Sequence, residues 1–440
     1  MATIQQVAQK MQTVLRSTAD AAAQETGFVQ RKSKLTGAKF TQTLVFGWLS
    51  SPQATLEELA QTAATLGVEI SPQGLDQRFT RAAAACLEQV LSAAVDEMID
   101  AEPVVIPVLR RFNGVYILDG STVQLPAALA DEWAGCGNRV PGNEAAVKMQ
   151  VRLDLSTGGL WGPLLQDGRA HDRSSPLQTA SLPAGALRLA DLGYFSLDIF
   201  QKLDAQGVYW LSRLQAGTAV FDQKGERQDL PRLLGAQPGD DVDIPIKLGV
   251  RHRLSCRLLA KRVPPKVADR RRQRLRDQAR RRGQMVSQAR LRLADWTIYV
   301  TNAPVALLSL REALVLARAR WQIELLFKLW KSQGRIDEWR SEKPWRILCE
   351  VYAKLLAMLV QHWLLLVSCW SYPDRSLQKA ARTVQRLSLH LASMFHCQQD
   401  LCEAIATIQR CLAAGCRINK RKVAPHTYQL LLNLTSGGLA

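Results

Sequence analysis

Residues 115–125 read VYILDGSTVQL, a run that predicts a β-strand and carries an aspartate at position 119. Two further strand-like runs follow, AAVKMQVRLDL at 145–155 and GGLWGPLLQ at 158–166, and turn residues separate them. A fourth run, LRLADLGYF at 187–195, leads directly into the helical pattern SLDIFQKLDAQG at 196–207. Three strands followed by alternating helix and strand predict an α/β fold.

That order of elements is typical of an RNase H-like core, although other mixed folds share it. Short alternating strands then occupy residues 208–263, where prolines and glycines separate them. The chain returns to a strand at DWTIYVTNAP, residues 295–304. The middle of the chain is therefore expected to form a small β-rich unit.

Residues 320–335, RWQIELLFKLWKSQGR, form a helical pattern in which one carboxylate lies among cations. At about 100° per residue the charged side chains fall in a stripe roughly 80° wide. These residues are Arg320, Glu324, Lys328, Lys331 and Arg335. Four large apolar residues lie off the stripe and are expected to anchor the helix in a core: Trp321, Leu325, Leu326 and Leu329. The pattern indicates a metal-ligand carboxylate facing a polyanion, and the simpler alternative is ordinary charge decoration of a solvated helix.

The net charge of +18 and the pI near 9.8 indicate a nucleic acid or an anionic membrane as partner. The apolar run at 355–370 is short for a bilayer span and carries Gln361 and His362, so we expect a buried helix and no membrane partner. The N-terminus lacks the pattern of a secretory signal, which predicts a cytoplasmic, bacterial or archaeal nucleoid-associated protein. The nine cysteines, which form no CxxC pair, are then expected to be free thiols.

More than half of the excess charge lies in residues 261–295, which hold 13 Lys or Arg against three Asp, a net +10. The run RRRQRLRDQARRR at 270–282 is dense in one charge and is expected to be mobile without a polyanion. We predict that it binds DNA phosphates, and the alternative is a solvated linker. The candidate DNA-binding residues in it are Arg270, Arg271, Arg272, Arg280, Arg281 and Arg282.

The first 105 residues are expected to be helical. A capping box begins at Thr55 and the helix is expected to end at Gly67, while Ser71 starts a second helix that would carry Arg78 and Arg81. Two short helices joined by a turn resemble a DNA-binding helix-turn-helix, although two packed helices of any kind give the same pattern.

Three acidic residues have the placement that metal-dependent phosphoryl transfer requires. Two divalent ions about 3.5–4 Å apart can assist the nucleophile and the leaving oxygen, and they need carboxylates that converge from strand ends and a helix. Asp119 is expected at the end of the first strand and Asp191 at the end of the fourth, and Glu324 lies on the basic helix. The alternative for each aspartate is a turn residue before glycine.

These residues resemble the signature of the DDE transposases of the insertion-sequence-four family. That signature is Tyr, two residues, Arg, three residues, Glu, six residues and Lys, and the last three match Arg320, Glu324 and Lys331. The resemblance runs from about 118 to 332. It implies that Asp119, Asp191 and Glu324 bind metal and that Arg320 and Lys331 contact DNA phosphates near the cleaved end.

The resemblance implies an RNase H-like core that a β-rich insertion interrupts. The expected regions are a helical N-terminal DNA-end-binding domain at 1–105, the first part of the core at 106–207 and a basic, β-rich insertion at 208–296. The second part of the core, with the glutamate helix, spans 297–375, and a helical C-terminal region at 376–440 is a candidate for dimerisation.

Two further positions follow from the comparison with that family. Relatives that make hairpin ends stack a flipped base on a tryptophan in the insertion, and Trp296 resembles it in context, with a β-strand core residue as the alternative. The signature tyrosine would stand at Ala317, which has neither ring nor hydroxyl. The chain departs from the family pattern there.

The sequence thus predicts an insertion-sequence transposase that uses two Mg²⁺ or Mn²⁺ ions. It is expected to bind terminal inverted repeats and target DNA, to cleave and join strands by a cut-and-paste route through hairpin ends, and to act as a homodimer. One alternative is a catalytically inactive DNA-binding descendant, which Ala317 motivates. The other is an RNase H-like metal-dependent nuclease that ignores the element's ends.

Overall fold

The computed structural model describes residues 2–31, 33–137, 142, 144–372, 374–419 and 425–434. They fall into two compact units. Unit 1 comprises Met1–Val105, Asp119–Ala170 and Gln322–Tyr428, and unit 2 comprises Ile106–Leu118, His171–Trp321 and Gln429–Ala440.

The α-helices alternate with the strands only in the middle of the chain. In chain order they are α1 Ile4–Gln12, α2 Ala19–Glu25, α3 Gly37–Ser50, α4 Leu56–Thr65, α5 Pro72–Asp76, α6 Arg81–Asp96, α7 Leu197–Ala205, α8 Leu230–Gly235, α9 Pro265–Arg281, α10 Gln288–Leu293, α11 Leu310–Ala319, α12 Trp321–Ser332, α13 Pro344–Ser368, α14 Leu377–Arg386, α15 Ser388–Ser393, α16 Gln398–Ala414 and α17 Thr427–Asn433. The strands are β1 Val115–Leu125, β2 Ala145–Asp154, β3 Leu160–Asp167, β4 Leu187–Ala190, β5 Tyr209–Arg213, β6 Val220–Phe221, β7 Arg227–Gln228, β8 Asp241–Leu248, β9 Leu254–Arg262 and β10 Trp296–Thr301.

Helix α13 forms the centre of unit 1. It is apolar around most of its circumference, which is typical of a helix that other elements cover on all sides, and it packs against α3, α6 and α16. Among the described residues it is the one helix long and apolar enough to cross a membrane, and 94% of its most apolar window is buried inside the protein. The prediction of a buried helix at 355–370 is confirmed.

A buried ion pair interrupts the apolar surface of α13. Lys354 Nζ lies 2.8 Å from Glu350 Oε1, and the two side chains are 2% and 3% exposed. The same ammonium group donates to the carbonyl oxygens of Arg335 at 3.0 Å and Glu338 at 2.6 Å. Burial lowers the pKa of Lys354 and raises the pKa of Glu350, and their contact opposes both shifts. The pair therefore fastens the turn after α12 to the core of unit 1.

Each unit contains strands of a mixed sheet. In unit 1 the order is β3-β2-β1, with β2 and β3 antiparallel. In unit 2 the order is β1-β4-β5-β10-β9-β8-β6-β7, to which β1 contributes only residues 115–118. Strands β1, β4 and β5 are parallel, and the remaining pairs are antiparallel. The partial orders 3-2-1 and 1-4-5 are those of an RNase H-like core. The antiparallel strands after β5 form the β-rich insertion, and the expected fold class is confirmed.

The basic run at 270–282 was expected to be mobile, and this expectation is wrong. It lies in α9. Arg271 donates to the Trp296 carbonyl oxygen and to Thr297 Oγ1, both at 2.9 Å. Arg272 pairs with Asp269 and Asp295. Because these partners neutralise or bind the inner arginines, the helix folds against β10 in spite of its dense positive charge.

The N-terminal helices also differ from expectation in one respect. The capping box at Thr55 is present, with both of its hydrogen bonds, and Gly67 ends the segment with a φ of +77°. The second helix, α5, ends at Asp76, so Arg78 follows it and Arg81 begins α6. The Asp76 carboxylate accepts hydrogen bonds from Lys343 at 2.5 Å and Arg346 at 3.1 Å. The short α5 is thus held against the start of α13.

Replacing Lys354 with Met should destabilise unit 1 by about 3 kcal/mol or more, because the Glu350 carboxylate would remain buried without its partner. The matched control is Lys261→Met, which breaks an ion pair with Asp241 whose side chains are 49% and 56% exposed. We expect a loss of less than about 1 kcal/mol for the control. Thermal unfolding midpoints measure both, and equal shifts would contradict the structural role of the buried pair.

Candidate active site

The two candidate aspartates lie directly after the last paired residues of two neighbouring strands. Strands β1 and β4 are parallel, and their ladder ends with Leu118 opposite Ala190. Asp119 directly follows the first of these residues and Asp191 the second. Strands β1 and β4 are therefore neighbours. The expectation that Asp119 ends its strand is wrong, because β1 continues to Leu125.

Backbone geometry exposes both carboxylates in part. Asp119 is half-buried, and its Oδ1 accepts a hydrogen bond from the Gly120 amide at 2.8 Å. Asp191 has an extended backbone, with φ −74° and ψ 169°, before the single 3₁₀ turn Leu192–Tyr194. Its side chain is 48% exposed. Both groups can therefore reach solvent.

In unit 2 the arginine of the signature lies beside Asp191. Arg320 occupies the junction between α11 and α12, and its Nη2 is 3.8 Å from Asp191 Oδ1. This ion pair joins the start of the glutamate helix to the residue after β4.

A second acidic residue, which the sequence analysis missed, lies near Asp191. A Cβ atom on Gly193 would be 2.6 Å from Asp172 Oδ2, so only glycine fits between this carboxylate and the turn after Asp191. The sequence signal was the glycine in DLGYF, whose packing role becomes visible only in the structure.

In unit 1 the glutamate helix is attached to β1. Lys331 Nζ donates to the carbonyl oxygen of Thr122 at 2.8 Å, and it lies 4.0 Å from Asp337 Oδ2. Glu324 is seven residues before Lys331, about 10.5 Å along a helix, and Asp119 is three residues before Thr122, about 10 Å along a strand. The two carboxylates thus lie at similar distances from this hydrogen bond along their own elements.

The cations of the predicted stripe have different environments. Lys328 is exposed, and in the described part of the chain it has no ion-pair partner. Lys331 is tied to β1, as described above. Arg335 lies beyond the end of α12 with a φ of +46°, and its Nη1 is 2.9 Å from Glu338 Oε2. The helix predicted over 320–335 is therefore shorter, and Arg335 is not part of its stripe.

The apolar residues of α12 divide into two sets. Leu326 and Leu329 are buried, at 4% and 6% exposure, as expected for core anchors. Trp321 is 50% exposed and Leu325 is 42% exposed, so the expectation that these two anchor the helix is wrong. They lie one turn apart, on either side of Glu324 in the sequence.

Unit 2 contains a cationic cavity of about 1170 Å³. It reaches Leu192, the residue after Asp191, and Trp296 forms part of its wall. Five arginines line it: Arg213, Arg227, Arg271, Arg274 and Arg290. Arg271, a named candidate, and Arg274 both lie in the basic run at 270–282 that was predicted to bind DNA phosphates. The other three come from β5, β7 and α10, so no sequence run connects them.

The remaining candidate residues of the insertion are placed as follows. Four of the six candidate arginines are exposed: Arg270, Arg280, Arg281 and Arg282. Arg271 and Arg272 are half-buried, and burial lowers the pKa of Arg271. Trp296 is only 7% exposed, and the guanidinium of Arg262 lies 4.5 Å from its ring centroid. One face of that ring is thus already in contact with a cation.

Comparison with known proteins shows the family. Residues 110–360 match the family described as the transposase DDE domain. The chain is 30% identical over 362 residues to the transposase for insertion sequence element IS231E of Bacillus thuringiensis subsp. finitimus, an alignment that covers 77% of this chain and 75% of that protein. It is 24% identical over 360 residues to the transposase for insertion sequence element IS1151 of Clostridium perfringens, covering 77% of this chain and 76% of that protein. The chain therefore belongs to the DDE transposases, in the insertion-sequence-four family that its signature residues indicate.

Proposed function

We propose that this DNA-cleaving transposase cuts at the terminal inverted repeats of an insertion sequence, with Asp119, Asp191 and Glu324 as ligands for two Mg²⁺ or Mn²⁺ ions. The observation that supports the triad most strongly is the β1–β4 register, because each aspartate directly follows a residue of its last pair. The hydrogen bond between Lys331 and the Thr122 carbonyl oxygen supports the addition of Glu324.

The donor set fits a hard divalent cation. All three side chains are carboxylates, the oxygen ligands that Mg²⁺ and Mn²⁺ prefer, and all three are partly exposed. When bound, the ions would activate a water or a 3′-hydroxyl and stabilise the leaving oxygen. The protein's own contribution is to hold the carboxylates on a strand, a turn and a helix that are fixed by other contacts.

The cations around the triad would position the DNA. Arg320 holds Asp191 and remains close enough to contact a phosphate that approaches it. Lys328, which lies one turn after Glu324, is exposed and is available for a phosphate without loss of an existing ion pair. In unit 2 the arginine-lined cavity would take the strand that continues from the cleaved phosphate.

Two tryptophans are candidates for stacking on an unpaired base. Trp296 was the candidate from the sequence, but its ring is buried and in contact with Arg262. Trp321 is half exposed and follows Arg320 directly. We propose that the exposed ring of Trp321 stacks on the unpaired base, while Trp296 forms part of the cavity wall. The hairpin route itself stays a prediction from the family resemblance.

We further propose a homodimer in the synaptic complex, because two ends must be held together, and a cytoplasmic location with the DNA. The inactive, DNA-binding alternative is motivated by Ala317, which lies half-buried on α11. The nuclease alternative requires the same triad without preference for the element's ends. Cleavage of an end-bearing duplex by the wild-type protein would exclude the inactive alternative, and equal cleavage of an unrelated duplex would favour the nuclease alternative.

Replacing Glu324 with Gln should reduce Mg²⁺-dependent cleavage of a repeat-bearing duplex by at least a hundredfold, because one metal-binding carboxylate is lost without added bulk. Binding of the same duplex should change less than threefold. Both are measured by gel assays on one labelled duplex. The control is Glu342→Gln, an exposed glutamate beyond α12, which should cut like wild type. Undiminished cleavage by the Glu324 variant would remove it from the triad.

Replacing Trp321 with Ala should slow formation of hairpin ends about tenfold while leaving the first nick nearly unchanged, because base stacking is worth about 1–3 kcal/mol. Trp296→Ala is the companion variant, and its expected effect is a loss of thermal stability, since the ring is buried under Arg262. A normal hairpin yield from Trp321→Ala together with a specific defect in a stable Trp296→Ala protein would reverse the assignment.

A further inference from the structure

Helix α14 presents a line of exposed cations on the surface of unit 1. Lys379, Arg382 and Arg386, called here the C-terminal basic face, are all exposed. At about 100° per residue they fall within a stripe roughly 60° wide. The opposite side of the helix is buried through Ala380, Ala381 and Val384. The packing therefore fixes which side of α14 points outward.

The charge of this face is not compensated nearby. The sequence contains no Asp or Glu between Asp374 and Asp400. Lys379 Nζ donates to the carbonyl oxygen of Arg417 at 2.9 Å, a neutral acceptor. Within the described ranges none of the three cations forms an ion pair. An anionic partner could therefore pair with all three cations without breaking an existing ion pair.

Helix α14 also meets the segment that follows the glutamate helix. Gln333, between Lys331 and Arg335, donates through Nε2 to the carbonyl oxygen of Gln378 at 3.1 Å. Both segments belong to unit 1. The C-terminal basic face therefore lies in the same unit as Lys328 and Lys331, and a direct hydrogen bond joins its helix to the segment after α12.

We infer that the C-terminal basic face binds the phosphate backbone of duplex DNA, independently of sequence. This inference rests on the proposed function, since it assigns a further contact to the same substrate. Lys379 and Arg386 are seven residues apart, about 10.5 Å along the helix, so the face is long enough to contact more than one phosphate of a duplex. The face offers only long cationic side chains, which suit phosphate contacts better than base readout.

Self-association is a poorer explanation of this face. A two-fold interface brings the same patch of both copies together, and three cations would then face three cations with no acid between Asp374 and Asp400 to neutralise them. Dimerisation through the C-terminal region, as expected from the sequence, would have to use another surface of that region.

The test is the triple variant Lys379→Gln, Arg382→Gln and Arg386→Gln, since glutamine keeps the helix propensity while removing charge. The matched control, Lys202→Gln, Lys224→Gln and Arg251→Gln, removes three exposed cations from unit 2 and leaves the same net charge. Binding is measured against two duplexes of equal length, one with the element's end and one unrelated, over a range of salt concentrations. Sedimentation velocity gives the oligomeric state of each variant.

The α14 variant should bind both duplexes about tenfold more weakly, and the slope of log K against log salt should fall by about 2 to 3. The control should change affinity less than twofold. An unchanged slope, or loss of self-association with normal DNA binding, would overturn the inference. Because cleavage at the repeat is read separately on the wild type, failure of the proposed function would show there and not in the slope.

Discussion

The parallel register of β1 and β4 is the constraint on which the candidate site depends. Leu118 lies opposite Ala190, so the ladder ends directly before Asp119 on one strand and before Asp191 on the other. A slip of one residue would turn the side chains of a strand to the other face of the sheet. The buried apolar residues of both strands oppose such a slip, since Ile117, Leu118 and Leu189 are at most 1% exposed. Core packing of these strands thus fixes the positions of Asp119 and Asp191, which lie outside the core.

The glutamate helix is held by polar contacts at several points rather than by its apolar face alone. Arg320 fastens its start to Asp191 in unit 2, while Lys331 fastens its last turn to β1 in unit 1. The turn beyond it is bound by Lys354, whose burial makes that contact costly to lose. Such fixation suits the proposed role of Glu324, because a misplaced metal-binding carboxylate loses much of its effect. It also explains how Trp321 and Leu325 can remain exposed without loosening the helix.

Much of the fold could be predicted from the sequence, and the exceptions have physical causes. The strand-like run at 115–125 coincides with β1, because a strand flanked by turn residues has few alternatives, although Asp119 was expected at its end. Helix α9 was missed because charge density alone predicts mobility, whereas Asp269, Asp295 and backbone oxygens of β10 hold its inner arginines. The end of α12 was missed because it depends on tertiary packing. Gly334 packs so closely on Met358 of α13 that a Cβ atom there would lie 2.5 Å from the Met358 sulfur. The cavity was not predicted as a unit, since three of its five arginines come from elements outside the basic run.

The cations of this chain divide into those that are held inside the fold and those that are available for the proposed DNA contacts. Arg271, Lys331 and Lys354 are held by backbone oxygens inside their units, so recruiting them to a phosphate would break hydrogen bonds in the fold. Lys328 and Arg382 have no such partners among the described residues. A phosphate contact with the second set releases counterions and disrupts nothing. Net charge alone therefore overstates the surface available to DNA. The cations without partners in the fold, on α12 and α14, are the ones on which the proposed DNA contacts rest.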